Sequence, residues 1–151
     1  MFLSKFGRRA GVAAASAALA LGVSAGQASA TDTSVSSWPT SSRCNDQGYF
    51  FCLYYSPNHA GGMKGYYDIQ VPTISGNFSD GHVIRNDAAS MENPVYCDVR
   101  TWVYPNYVGD SNYVIGGYGG NLTSRLRNNE ASIAIDGLYG GHDSYDQCPD
   151  V

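Results

Sequence analysis

The chain repeats itself in two places, and this duplication restricts its fold more than any other feature. Leu53-Tyr54-Tyr55-Ser56-Pro57-Asn58-His59-Ala60-Gly61 aligns with Thr101-Trp102-Val103-Tyr104-Pro105-Asn106-Tyr107-Val108-Gly109, 48 positions further on. Arg85-Asn86-Asp87-Ala88-Ala89-Ser90 aligns with Arg127-Asn128-Asn129-Glu130-Ala131-Ser132, 42 positions further on. The difference leaves six extra residues between the two elements of the first half, expected in the stretch Ile74–His82. Two tandem units, each too small to bury a hydrophobic face alone, must pair into one layered body.

The units are built of strands. From Arg43 onward no run of ten residues carries a helical apolar period, while short aromatic and β-branched runs recur between Gly, Asn, Asp and Pro clusters. The pattern predicts strands at Phe50–Tyr55, Lys64–Val71, Ser90–Glu92, Val99–Tyr104, Asn112–Ile115 and Ser132–Ile135. An all-β sandwich is the expected class.

The beginning of the chain reads differently. Lys5, Arg8 and Arg9 precede an Ala-, Leu- and Val-rich run from Ala10 to about Val23, and Ala28-Ser29-Ala30 is a small-x-small cleavage site. Residues 1–30 are therefore expected to be a secretory signal peptide, with no membrane attachment after cleavage. Residues 31–43, mostly Ser and Thr around Trp38-Pro39, read as a flexible leader. The domain is expected over 44–148, with repeats at about 44–93 and 97–136.

Export agrees with the cysteines. Cys44, Cys52, Cys97 and Cys148 all follow the cleavage site, and an even number in an oxidising compartment implies two disulfides. Three pairings exist. Spacing favours Cys44 with Cys52, bracketing a short segment that contains Gly48, and Cys97 with Cys148. A zinc site is disfavoured, because no C-x2-C pair occurs and no His stands at ligand spacing from a cysteine.

Charge excludes some partners. Nine Lys and Arg against 13 Asp and Glu give −4 overall; Lys5, Arg8 and Arg9 lie before residue 31, which leaves six against 13, or −7, in the remainder. Such a chain offers no basic patch for nucleic acid or anionic membrane.

The duplicated elements resemble the Greek keys of the βγ-crystallin superfamily, whose pattern is an aromatic, four residues, a second aromatic, one residue and Gly, followed later by a Ser. The second repeat matches with Trp102, Tyr107, Gly109 and Ser132. In the first, Tyr54, Gly61 and Ser90 match and His59 replaces the second aromatic, which weakens the packing at that corner but leaves the backbone demand intact. The resemblance implies a sandwich of two Greek keys. Glycines where each hairpin folds over supply positive φ, and a Ser beneath can bond a backbone group the fold leaves unpaired.

The same resemblance implies a paired calcium motif, with Asp87 and Ser90 in one site and Asn129 and Ser132 in the other. The motif normally ends in two hydroxyl residues; here Met91 and Ile133 stand last, and Asn129 is neutral. Glu130 is a further donor without an evident place. Calcium is thus an optional ligand, and no cofactor is required.

Among secreted crystallin-like proteins the chain is most similar to the bacterial peptidase inhibitor family 36, through its signal peptide, the Cys44 to Gly48-Tyr49 spacing, Cys52-Leu53-Tyr54, and the Asn-Asp-x-x-Ser element. That likeness implies a non-enzymatic binding protein whose partner is an extracellular peptidase. It carries over no inhibitory loop, and the longest connections, Ile74–His82 and Gly116–Arg125, are the places to look. A secreted antimicrobial toxin or wall-binding protein, or a calcium-stabilised structural protein, are the alternatives.

Catalytic signals are weak. Neither G-x-S-x-G nor H-E-x-x-H occurs, and His142-Asp143 stands in a Gly-rich tail. Asn77-Phe78-Ser79 and Asn121-Leu122-Thr123 are glycosylation sequons. Tyr66, Tyr67, Tyr113, Tyr118 and Tyr139 are expected to be partly exposed, where tyrosine makes rigid amphipathic contacts.

Overall fold

A computed structural model describes residues 29–136. Residues 1–28 of the expected signal peptide lie outside the described residues, as do Tyr139, His142-Asp143 and Cys148. Among the described residues no helix is long and apolar enough to cross a membrane.

The described strands are β1 (Asp32–Ser34), β2 (Trp38–Pro39), β3 (Phe51–Ser56), β4 (Ala60–Tyr66), β5 (Gln70–Val71), β6 (Ser90–Asn93), β7 (Val99–Tyr104), β8 (Val108–Val114), β9 (Tyr118–Asn121) and β10 (Ser132–Ile135), with one short helix, α1 (Ser42–Asn45). They form two five-stranded sheets in the orders β2-β9-β6-β3-β4 and β1-β8-β7-β10-β5. Each half of the chain therefore builds one sheet but gives its third strand to the other. β9, from the second repeat, pairs with β6, and β5, from the first, pairs with β10. The exchange is matched bond for bond: Ile74 N–H donates to Ala131 C=O at 2.8 Å, and Leu122 N–H, 48 positions later, donates to Ala89 C=O at 3.0 Å. The expected sandwich of two Greek keys is what the chain forms.

The exchange explains two departures from the sequence reading. Lys64–Val71 is not one strand, because the chain leaves the first sheet after Tyr66 and enters the second at Gln70. Gly116–Arg125 is not an open loop, because its centre is β9, an interior strand of the opposite sheet between β2 and β6.

Strand alternation places the core. Phe51 and Leu53 of β3, Met91 of β6, Val99 and Val103 of β7, and Ile133 and Ile135 of β10 point between the sheets, with Ile74, Ile84, Leu122 and Leu126 closing the ends. Burying each large apolar side chain contributes about 1.5–3 kcal/mol. Intervening residues face outward, yet Cys52 and Tyr54 are also buried, because α1 covers them and the Cys44–Cys52 disulfide ties it to β3. This is the first pairing that spacing favoured. Cys97 is also disulfide-bonded, and its expected partner Cys148 lies outside the described residues.

The reading of residues 31–43 as a flexible leader is corrected. β1 runs parallel to β8 and β2 antiparallel to β9, so the segment adds an edge strand to each sheet. Val35, between them, is part of the core. The close seating depends on Gly120: a Cβ there would lie 1.7 Å from the Val35 carbonyl oxygen. The segment lacks an apolar period because backbone bonds and polar anchors hold it in place.

Candidate functional site

The two motif corners are equivalent in detail. Asn58 and His59 have φ of 57° and 49°, Asn106 and Tyr107 have 58° and 65°, and Gly61 and Gly109 are also left-handed. Ser90 Oγ accepts from His59 N–H at 3.1 Å and donates to Ser56 C=O at 2.7 Å. Ser132 Oγ accepts from Tyr107 N–H at 3.1 Å and donates to Tyr104 C=O at 2.7 Å. Trp102 and Tyr107 meet edge to face at 5.2 Å, and Tyr54 and His59 at 6.2 Å, the looser contact falling where His replaces the aromatic.

The loops before these serines meet at the seam between the repeats. Asn86 N–H donates to Glu130 C=O at 3.0 Å and Asn128 N–H to Ala88 C=O at 2.9 Å, a reciprocal pair. Glu130, which sequence could not place, breaks the symmetry. Its Oε1 accepts from the Asp87 and Ala88 N–H groups at 3.1 and 3.0 Å, so a carboxylate of the second repeat clamps the loop of the first. Burial pushes its carboxyl up to about 7. Its Oε2 and the Tyr66 hydroxyl are both buried without a hydrogen-bond partner, so Tyr66 is a core residue rather than an exposed one.

The oxygens of these motif residues are tied into the corners and the seam. Ser90 and Ser132 each already have a donor and an acceptor in their corners, Asn129 Nδ2 donates to Arg125 C=O, and the Ala88 and Glu130 carbonyls accept amides. Calcium takes about six to eight oxygens.

A second buried carboxylate, missed in the sequence, anchors the N-terminal segment. Glu92 accepts from Trp38 Nε1 at 3.2 Å and Ser41 N–H at 3.1 Å through Oε1, and from Ser41 Oγ and the Tyr54 hydroxyl, each at 2.6 Å, through Oε2. His59 Nδ1 lies 3.5 Å away. An acid on the same strand face as Ser90 was the signal available.

The six extra residues of the first repeat are the largest departure from twofold equivalence. With Ile74 matching Leu122 and Ile84 matching Leu126, loop 75–83 corresponds to only 123–125. Ile74, Phe78 and Ile84 are buried, while Ser75, Asn77, Ser79, Asp80, Gly81, His82 and Val83 are exposed. The loop is closed on itself by Phe78 N–H to His82 C=O at 2.8 Å, Asn77 Nδ2 to Gly81 C=O at 2.9 Å and Ile84 N–H to Gly76 C=O at 3.1 Å. Its turn is bonded to β4: Ser79 N–H to Met63 C=O at 3.1 Å, Met63 N–H to Ser79 Oγ at 3.0 Å and Gly62 N–H to Asp80 Oδ2 at 2.7 Å. Tyr55 stacks on His82 at 3.9 Å. The loop covers the sheet edge and holds its own tip in one shape.

Two Greek keys with serine-held corners in register are the arrangement the duplicated motif implied, and the exchange of third strands is how they are joined. The fold is βγ-crystallin-like. No protein-family model matches the sequence, and no curated protein does. Among solved structures, the chain is similar to a βγ-crystallin domain from Flavobacterium johnsoniae, at 16% identity over 61% of this chain and 97% of that one, with a TM-score of 0.46. It is similar to the N-terminal domain of protein S, at 16% identity over 60% and 98%, with a TM-score of 0.44. IPSE/alpha-1 from Schistosoma mansoni eggs is 18% identical over 57% and 82%, with a TM-score of 0.42.

Proposed function

We propose that this βγ-crystallin-like protein is a secreted, non-enzymatic binding protein that inhibits an extracellular peptidase, with loop 75–83 as the contact. The observation that carries this reading is the loop itself: an insertion in one repeat of a duplicated scaffold, exposed along most of its length and pinned to β4 at its turn. A loop already held in its bound shape loses little entropy on association and releases slowly. The Cys44–Cys52 disulfide, anchored through Cys52 on the strand paired directly with the β4 edge that carries the loop, stiffens the same sheet. The net charge of −7 after residue 30 favours a basic partner.

Titration of chain 31–151 against a panel of secreted serine and metallopeptidases tests this. Stoichiometric loss of one enzyme's activity supports it; full activity of every enzyme, with the domain folded and uncleaved, removes it. The wall-binding alternative draws on Tyr67, Tyr96 and Tyr104, which are 65%, 79% and 60% exposed. Retention of the folded domain on cell-wall polysaccharide would favour it.

A further inference from the structure

Thr31 directly follows Ala28-Ser29-Ala30. Its backbone nitrogen lies 2.7 Å from Asp110 Oδ1, and its Oγ1 donates to the same oxygen at 2.9 Å. Asp110, on β8, is 7% exposed, and its other oxygen is bonded by Arg125 Nε. The Thr31 carbonyl accepts from Ser111 N–H at 2.8 Å, so both ends of this residue are gripped by β8. Ser29 and Ala30 are exposed and irregular, open to a peptidase.

We propose that Asp110 is the receptor for the N-terminal ammonium that cleavage of the Ala30–Thr31 bond creates, so that removal of the export segment completes the docking of β1. The proposal rests on the secretion reading. A signal peptidase adds water across the bond: the hydroxyl goes to the Ala30 carbonyl carbon, giving a carboxylate, and the freed Thr31 amine takes protons to become an ammonium. The neutral amide of the precursor already donates to the Asp110 carboxylate; cleavage turns it into a full positive charge at the same distance, so an ion pair is added to that hydrogen bond.

The surrounding charges permit this. Asp32, adjacent in β1, is occupied by Arg100 Nη1 at 2.5 Å and by Ser111 Oγ at 2.7 Å. Arg100, on β7, also bonds Asp136 beyond β10. Arg125, on the β9–β10 connection, opposes the ammonium, but its side chain is 72% exposed and screened by water. Asp110 faces Thr31 directly. The Thr31 N–H and hydroxyl hold its carboxyl below the usual range, so it is ionised throughout the pH range in which the amine gains and loses its proton.

The test uses chain 31–151 beginning at Thr31, a form with one added N-terminal Gly, a form acetylated at Thr31, and Asp110→Asn. The Thr31 amine, followed by NMR, should titrate at least about one unit above the ordinary range of about 7.7–8.0, and Asp110→Asn should return it there. A cation whose folded pKa is raised stabilises below its unfolded pKa and ceases to do so as pH rises through the folded one. The Gly-extended and acetylated forms, which leave Asp110 intact, should therefore melt lower than the native start at pH 7, with the gap closing in alkali. An ordinary amine pKa, or equal melting at pH 7, overturns the proposal. Intact mass of exported protein separates the readings: retention of residues 1–30 removes the secretion reading and this proposal together, whereas cleavage at another bond overturns the proposal alone.

Discussion

Ser90 and Ser132 make the same two hydrogen bonds in the two halves of the fold, each accepting the amide of a left-handed residue and donating to the carbonyl at its strand end. Truncating either serine leaves a partly buried amide and carbonyl without that partner, at about 1 kcal/mol or somewhat more. Ser90→Ala and Ser132→Ala should each lower the urea midpoint by this loss divided by the slope, with the slope unchanged. Equal effects at the two sites would reflect the equivalence of the corners.

Gly120 permits the N-terminal segment to lie against β9. With the Val35 carbonyl 1.7 Å from the position of an added Cβ, Gly120→Ala should displace the segment and cost about 1–3 kcal/mol or more. Faster amide exchange confined to residues around Val35, Ser37 and Thr40 is the expected signature. Unchanged exchange there would contradict the seating described.

Glu130 sets a pH dependence. Its folded pKa, about 7, stands above the ordinary 4.5, so the folded state holds a proton that the unfolded state has released. Stability should rise as pH falls from 8 to 5, by about 3 kcal/mol, and level off below the ordinary value. Glu130→Gln keeps an oxygen for the Asp87 and Ala88 amides and should remove this component. Urea midpoints at pH 8, 6.5 and 5 for both proteins measure it, and parallel curves would contradict it.

Calcium in the millimolar range should leave the melting temperature unmoved, because the oxygens of Ser90, Ser132, Ala88 and Glu130 already serve the corners and the seam. A ligand binding only the folded state would raise it. An upward shift would show that these loops rearrange around the ion.

What was legible in the sequence was what is local. Positive φ at the corners requires Asn and Gly at fixed positions, so the motif and its offset of 48 revealed the duplication, and the six-residue excess located loop 75–83. What stayed hidden depends on tertiary contact. β9 is Tyr118-Gly119-Gly120-Asn121, poor in strand formers, and pairs only because the two halves exchange third strands. The segment 31–41 has no apolar period because Glu92, Asp110 and the β9 backbone hold it. Tyr66 reads as a surface residue, yet it ends β4 facing inward against Phe51.

Val83 is the residue at which the proposed inhibitory role of loop 75–83 can be probed. This residue is 58% exposed at the loop's end, so Val83→Asp alters the presented surface without touching the core. The measurement is the inhibition constant of wild-type and Val83→Asp chain 31–151 against the secreted peptidase most sensitive to the wild type, with melting temperatures recorded beside it. The expected result is stoichiometric inhibition by the wild type and at least about tenfold weaker inhibition by the variant at unchanged melting temperature, a loss of about 1.4 kcal/mol or more. Inhibition undiminished by the substitution, or absent for every peptidase while the domain is folded, would contradict it.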